Sequence, residues 1–176
     1  MRAGGLILAL AVGVLLLAGC GAEGAVVSAE RDSGRVARVA DGDTIRLAGG
    51  RRVRLVQIDA PEPGRECWGD EAALALAALL PPGTEVELVR DPALDDRDRF
   101  GRLLRYVSAG GLNVNLALVE RGAAAPYFFR GERGRHAVDL LDAAEAAQTA
   151  RRGLWGSCAE ARLDPGRALA AGEARR

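Results

Sequence analysis

The sequence predicts an α+β domain built on a small antiparallel β-barrel with helices packed around it. Three observations point there: strand-like segments come mostly first, helical segments are interspersed among the later ones, and no βαβ repeat appears. The 176 residues, 49% hydrophobic and 4% aromatic, supply one compact core and little room for a second.

Ahead of the domain, MRAGGLILALAVGVLLLAGC carries one early arginine, an apolar run from Leu6 to Leu17 and small residues before Cys20. Residues 1–19 read as an export signal, because the run is too short for a spanning helix. The ending LAGC resembles the lipobox of bacterial lipoproteins. That resemblance implies cleavage before Cys20, lipid on its sulfur, and an exported protein anchored to the extracytoplasmic face of the cell membrane. Export places Cys67 and Cys158 in an oxidising compartment, so both are disulfide candidates. Residues 20–33 are small and polar without a period of 2 or 3.6, and read as a flexible tether.

From Gly34 the stretches GRVARVA, DTIRLA and RRVRLVQID alternate apolar with polar, and Gly49-Gly50 separates the last two. They predict a three-stranded meander. DAPEPGRECW is a loop dense in Pro and Gly. GDEAALALAALL predicts a helix over about residues 70–80, ended by Pro81-Pro82. TEVELV reads as a fourth strand, RDPALDDRDRFG as a charged loop, and RLLRYVS as a fifth strand closed by Gly110-Gly111. LNVNLALVERG predicts a short amphipathic helix stopped by Gly122, and AAAPYFFRG is irregular. ERGRHAVDLLDAAEAAQTARRG predicts a long helix followed by Gly153. The domain so delimited is 34–158. The tail, 159–176, lacks an apolar face and reads as disordered or weakly helical.

Lys+Arg and Asp+Glu both number 24. The summed field therefore gives no basis for tight nonspecific binding to nucleic acid or anionic membrane, and any phosphate recognition must be local.

By spacing alone, Asp41-Gly42-Asp43 is most simply a turn capped by its aspartates. Hairpin geometry adds a second possibility. If Gly49-Gly50 is a two-residue loop, Ala48 faces Arg51, Asp43 faces Val56, and Asp59 lies opposite Ala40. At about 3.4 Å per residue, Asp43 and Asp59 then fall within roughly 10 Å of each other at the open end. Glu62 follows Asp59 across a turn stiffened by Pro61. Three carboxylates gathered at one mouth call for a counter-cation, and oxygen donors suit a hard one such as Ca²⁺. Arg54 on the same hairpin and Arg102 at the start of the fifth strand could grip a phosphate bidentately beside such a cation.

The ordered combination VADGDTIRL, RRVRLVQIDAPE, DRFGRLLRYV, LNVNLALVERGAAAPY and GLWG resembles the staphylococcal nuclease family over about Gly34 to Gly156. The resemblance implies an OB-type five-stranded antiparallel β-barrel with three helices. It further implies that Asp43, Asp59 and the Ala60 carbonyl hold Ca²⁺, while Asp41 sits behind them and orients water. Glu62 would be the general base, and Arg54 and Arg102 would clamp the scissile phosphate. Tyr127 and Arg99 would meet the substrate.

The chain departs from the family pattern in three places. Phe100 stands where the archetype has a tyrosine, so a phosphate-facing hydroxyl is lost. Arg99 replaces a lysine and keeps its charge. The loop after Glu62 is shorter and contains Cys67, for which a bond to Cys158 is expected. His136 reads as a surface residue, and Trp68 and Trp155 as packing anchors.

The implied activity is that of a monomeric Ca²⁺-dependent nuclease hydrolysing DNA and RNA by in-line attack of water, leaving 3′-phosphate ends. Two other readings remain at this point. One is a catalytically silent barrel that binds nucleic acid or protein. The other is a lipoprotein holding a small anionic ligand.

Overall fold

The computed structural model describes Met1, residues 31–169 and residues 171–172. The export segment, Cys20 and the tether up to residue 30 lie outside the described residues. Strand β1 (Arg31–Val39) starts three residues before the expected domain boundary, with Arg31 opposite Val89 and Ser33 opposite Glu87. The expected meander then continues with β2 (Thr44–Leu47) and β3 (Arg52–Leu55).

The hairpin register differs from expectation by one residue. Thr44 faces Arg54, Ile45 faces Val53 and Arg46 faces Arg52. The loop takes three residues because Leu47 N–H donates to the Arg51 carbonyl at 2.9 Å and Gly50 N–H returns to the Leu47 carbonyl at 3.0 Å. Gly49 and Gly50 carry φ of 87° and 88°, which a side chain would resist. The consequence is large, since a one-residue slip inverts every face. In the expected register Arg54 would face Ile45, which is fully buried in the core. In the observed one it faces Thr44 and opens on the barrel mouth.

RRVRLVQID is not one strand. Gln57 adopts φ 63° and breaks the run into β3 and a two-residue β4 (Ile58–Asp59). The unfavourable backbone is held by its own side chain. Gln57 Oε1 accepts from Gly134 N–H at 2.8 Å and Tyr106 O–H at 3.2 Å, and its amide donates to the Glu132 carbonyl at 2.7 Å. Asn115 supports the neighbouring residue, donating to the Val56 carbonyl at 2.9 Å.

Helix α1 (Gly69–Leu79) matches the expected helix to within a residue. It is followed by β5 (Glu85–Val89), the charged loop and β6 (Leu103–Ala109). A short β7 (Leu112–Asn113) occupies the start of the expected second helix, so α2 begins at Val114, with Asn113 as its N-cap accepting from Leu116 N–H at 3.2 Å. AAAPYFFRG contains β8 (Ala125–Pro126), paired to β4, and a 3₁₀ turn at Phe129–Gly131. Helix α3 (Ala137–Thr149) is shorter at its start than the pattern implied, and the single turn α4 (Leu154–Ser157) follows Gly153.

Among the described residues the order β3-β2-β1-β5-β6 closes into an OB-type five-stranded barrel, antiparallel except at its closing pair, where β3 and β6 run parallel. Ile45, Val53, Leu55, Leu88 and Val107 fill the interior, and Leu76, Leu118 and Leu140 seal it from the helices. A second apolar cluster gathers Leu154, Trp155, Cys158, Ala161 and Ala171, with Trp68 and Cys67 against it. Cys67 and Cys158 are bonded, 91 residues apart in sequence.

The tail differs from the disordered or weakly helical segment expected of it. Residues 159–169 and 171–172 form no helix, yet Ala161 and Ala171 are buried in the second cluster. Small side chains suffice there because backbone hydrogen bonds, invisible in a pattern of apolar residues, carry part of the attachment. Among the described residues no helix is long and apolar enough to cross a membrane.

Closing a loop of this length, the disulfide should contribute about 4–5 kcal/mol through the unfolded chain, as an upper bound. We expect the Cys67→Ser/Cys158→Ser variant to show that loss as a lower urea midpoint, with a larger m-value because the uncross-linked unfolded chain exposes more surface. Alkylation of Cys67 and Cys158 in the wild type should require reductant.

Candidate active site

Two turns deliver the aspartates. Asp41 Oδ1 accepts from the Asp43 N–H at 3.1 Å, the aspartate-capped turn expected from the sequence. A Cβ on Gly42 would lie 2.6 Å from Ala60 Cβ and 2.9 Å from Ala72 Cβ, so only glycine lets this turn press against the DAPE loop and α1. Asp43 is thereby 6% exposed, with Thr44 O–H donating to its Oδ1 at 2.9 Å. The break at Gln57 turns Asp59 back toward the same point.

Arg54 joins them. Its Nη1 donates to Asp43 Oδ2, and its Nη2 to Asp59 Oδ1 at 2.6 Å. The side chains of Arg54, Asp43 and Asp59 are 15%, 9% and 17% exposed. The Ala60 N–H also points at Asp43 Oδ2, at 3.4 Å. The hairpin, β4 and DAPE therefore do converge, as expected.

Three aspartates against one arginine leave surplus negative charge in a site withdrawn from water. Burial, reinforced by Asp43, pushes the Asp41 carboxyl up to about 6. Burial also raises Asp59, with Arg54 opposing the rise and Asp43 adding to it. Burial works against the Arg54 charge, but Asp43 and Asp59 outweigh it and raise its pKa further.

Arg102 reaches the cluster from β6's leading end. Its Nη1 donates to Thr44 Oγ1 at 3.2 Å, while its Nε donates to Asp98 Oδ2 at 2.6 Å. Burial disfavours the Asp98 carboxylate, yet hydrogen bonds from Arg102 and from the Arg102 and Phe100 amides hold it below the usual range. Thr44 and Asp98 were not picked out by the sequence. The register of the hairpin and the return of the charged loop give them their roles.

Arg54, Asp59 and Arg102 open into a cleft of about 600 Å³ that Arg99, Phe100 and Tyr127 also line. Tyr127 meets Phe129 edge to face with ring centroids 6.5 Å apart. Phe100 is 55% exposed, and the guanidinium carbons of Arg99 and Arg102 lie 4.7 and 5.6 Å from its ring centre. Where a hydroxyl is missing, the aromatic face instead steadies two cations.

Glu62 is apart from this group. It is exposed, does not line the cleft, and its N–H donates to Glu66 Oε2 at 2.7 Å. Its charge still reaches Asp41, adding to that residue's raised pKa. Gly69 fixes the loop that carries it, because a Cβ there would come 2.2 Å from the Glu62 carbonyl oxygen. Among the described residues no group of three His, Cys, Asp or Glu side chains stands together in metal-holding geometry. His136 stacks edge to face on Tyr106 at 4.7 Å, and its Nδ1 is 3.2 Å from Asp139 Oδ2.

Residues 52–157, which include Arg54, Asp59 and Arg102, match the staphylococcal nuclease homologue family. The chain belongs to this family. It is 38% identical over 128 residues to an uncharacterized endonuclease of Escherichia coli O157:H7, covering 69% of this chain and 76% of the relative. A micrococcal nuclease of Shigella flexneri is 35% identical over 134 residues, covering 69% and 72%. Endonuclease YhcR of Bacillus subtilis is 34% identical over 138 residues, but the match spans 11% of that longer protein. The chain is accordingly a nuclease that hydrolyses phosphodiester bonds, with nucleic acid as its substrate. The silent-barrel and small-anion readings give way to this one.

Removing Arg54 strands two carboxylates, the buried Asp43 and the half-buried Asp59. We expect Arg54→Ala to cost the metal-free nuclease about 3–5 kcal/mol by urea unfolding. Asp41 gives a pH signature: its folded pKa lies above its unfolded value, so the folded state binds the extra proton between about pH 4 and 6. Stability is therefore lost as pH rises through that window. Without divalent cations, Asp41→Asn should lessen this slope in a melting-temperature series, leaving the part that the raised Asp59 contributes.

Proposed function

We propose that the nuclease is Ca²⁺-dependent and cleaves DNA and RNA by in-line attack of water, leaving 3′-phosphate ends. One observation carries this reading. Asp43 and Asp59 are aimed at a single cationic centre, with more negative charge around it than Arg54 neutralises. The donor chemistry fits a hard divalent cation: two carboxylates, the Ala60 carbonyl and water are all oxygen. The modest number of protein carboxylates leaves room for water and phosphate oxygens. Bound there, a divalent cation supplies charge neutralisation for the phosphodiester and makes water more acidic.

The protein's own groups do the rest. Arg54 and Arg102 open on the same cleft and can pair with two phosphate oxygens, countering the charge that grows as the pentacoordinate state forms. Asp98 and Thr44 hold Arg102 in that position before substrate arrives. Asp41 orients water beside Asp43. Glu62, outside the cleft lining but near enough for its charge to act on Asp41, is the residue to which the family resemblance gives the proton of the attacking water. Tyr127 and Arg99 line the path of the neighbouring nucleotide. The Phe100 face offers stacking in place of a hydroxyl, which disfavours selectivity for a terminal phosphate. The balanced net charge goes with modest polymer affinity and low processivity. The export signal and Cys20 are the basis for a lipid tether to the extracytoplasmic face, and the chain is read as acting as a monomer.

The test is digestion of single-stranded DNA, duplex DNA and RNA with Ca²⁺ or with chelator. We expect chelation to abolish cleavage, and Arg102→Ala to lower kcat about 10²–10³-fold with little loss of stability. Glu62→Gln should lower kcat while leaving Ca²⁺ affinity, measured by calorimetry, unchanged. Cleavage that persists in chelator would defeat the mechanism.

A further inference from the structure

Beyond Cys158 the chain turns back to the active site. Ala161 is buried, and the Pro165 carbonyl accepts from Phe128 N–H at 2.7 Å. Asp164 shapes a turn, its carbonyl accepting from Arg167 N–H at 3.0 Å and its Oδ1 from Gly166 N–H at 3.1 Å. Ala168 then lines the cleft, and Leu169 N–H donates to Asp59 Oδ2 at 2.8 Å. Past it Ala171 is 1% exposed, and the Gly172 carbonyl accepts from Cys67 N–H at 2.8 Å. The segment is thus pinned on both sides of Leu169, once beside the cleft and once beside the disulfide.

Asp59 is consequently held by two donors from opposite ends of the domain. Arg54 takes Oδ1, and the Leu169 amide takes Oδ2. A carboxylate turns freely about its last torsion when only one oxygen is anchored. With both anchored, its plane is set, and each oxygen keeps a lone pair for another partner. Partners of this kind behind a carboxylate orient it for a cation and account for much of the affinity.

We propose that residues 164–169, with 171–172 as their far anchor, are a positioning element of the active site, in which the Leu169 main-chain N–H sets the Asp59 carboxylate for the divalent cation. The proposal rests on the reading of Asp59 as a cation ligand. It also explains why the sequence pattern around Leu169 looks featureless: the acting group is a backbone amide, which most side chains leave intact.

The distinction between amide and side chain makes the test specific. The oxidised full-length chain is titrated with CaCl₂ by calorimetry as wild type, Leu169→Ala and Leu169→Pro, with melting temperatures alongside. Leu169→Ala keeps the N–H and should bind Ca²⁺ within about twofold of wild type, whereas Leu169→Pro should bind about tenfold more weakly. At limiting Ca²⁺, Leu169→Pro should lose kcat with KM for DNA little changed, and tenfold more Ca²⁺ should restore it. A chain ending at Leu163 keeps the disulfide, lacks the amide and should repeat the tenfold loss even if the proline variant fails to fold. Equal Ca²⁺ affinity in Leu169→Pro and Leu169→Ala, or in the shortened chain and wild type, would overturn the proposal. A wild type that binds no Ca²⁺ overturns both the proposal and the cation reading. A wild type that binds Ca²⁺ but cleaves nothing overturns the catalytic mechanism while the calorimetric result stands.

Discussion

The bridge from Arg54 to Asp43 and Asp59 is the constraint on which the other features of the site depend. Two carboxylates that are mostly withdrawn from water repel one another and hydrate poorly, so each needs a counter-charge within hydrogen-bond reach. A single guanidinium serves both because its fork spans two acceptors. That geometry obliges the hairpin and the DAPE loop to meet, which in turn obliges Gly42 to be without a side chain and Gln57 to take a left-handed backbone. The buried polar ties of Gln57 and Asn115 offset the strain where strand pairing is interrupted.

Charge in this protein is arranged locally rather than globally. The net charge is zero, yet Arg54, Arg99 and Arg102 line the cleft together with Asp59, and Arg54 is paired to both Asp43 and Asp59. A nuclease built this way draws little on long-range steering and depends on short-range contacts once substrate is seated. Asp98 and Thr44 hold Arg102 in place, so little of its side-chain freedom remains to be lost when a phosphate arrives.

The second apolar cluster links stability to the site. The disulfide fastens the loop after Glu62 to α4, and from there the tail crosses back to Asp59. Cys67 takes part twice, through its sulfur and through its amide to Gly172. Order in the Glu62 loop, the tail and the Asp59 carboxylate is therefore shared among the three.

The amino-acid pattern alone determined the barrel class, the α1 boundaries and the convergence of the hairpin with the DAPE loop, because alternation, Pro-Pro and Gly punctuation, and the motifs DGD and DAPE are local signals. It placed Asp43, Asp59 and Arg54 together even through a register one residue out, since both registers bring the hairpin's open end to the same mouth. Tertiary structure decided what local pattern cannot encode. The three-residue loop chose the face on which Arg54 lies, the Gln57 break aimed Asp59, and the parallel β3–β6 pair brought Arg102 to Thr44. The tail was misread because a backbone N–H carries no sequence signature. Its role arises only when 110 residues of intervening chain fold to set that amide against a carboxylate.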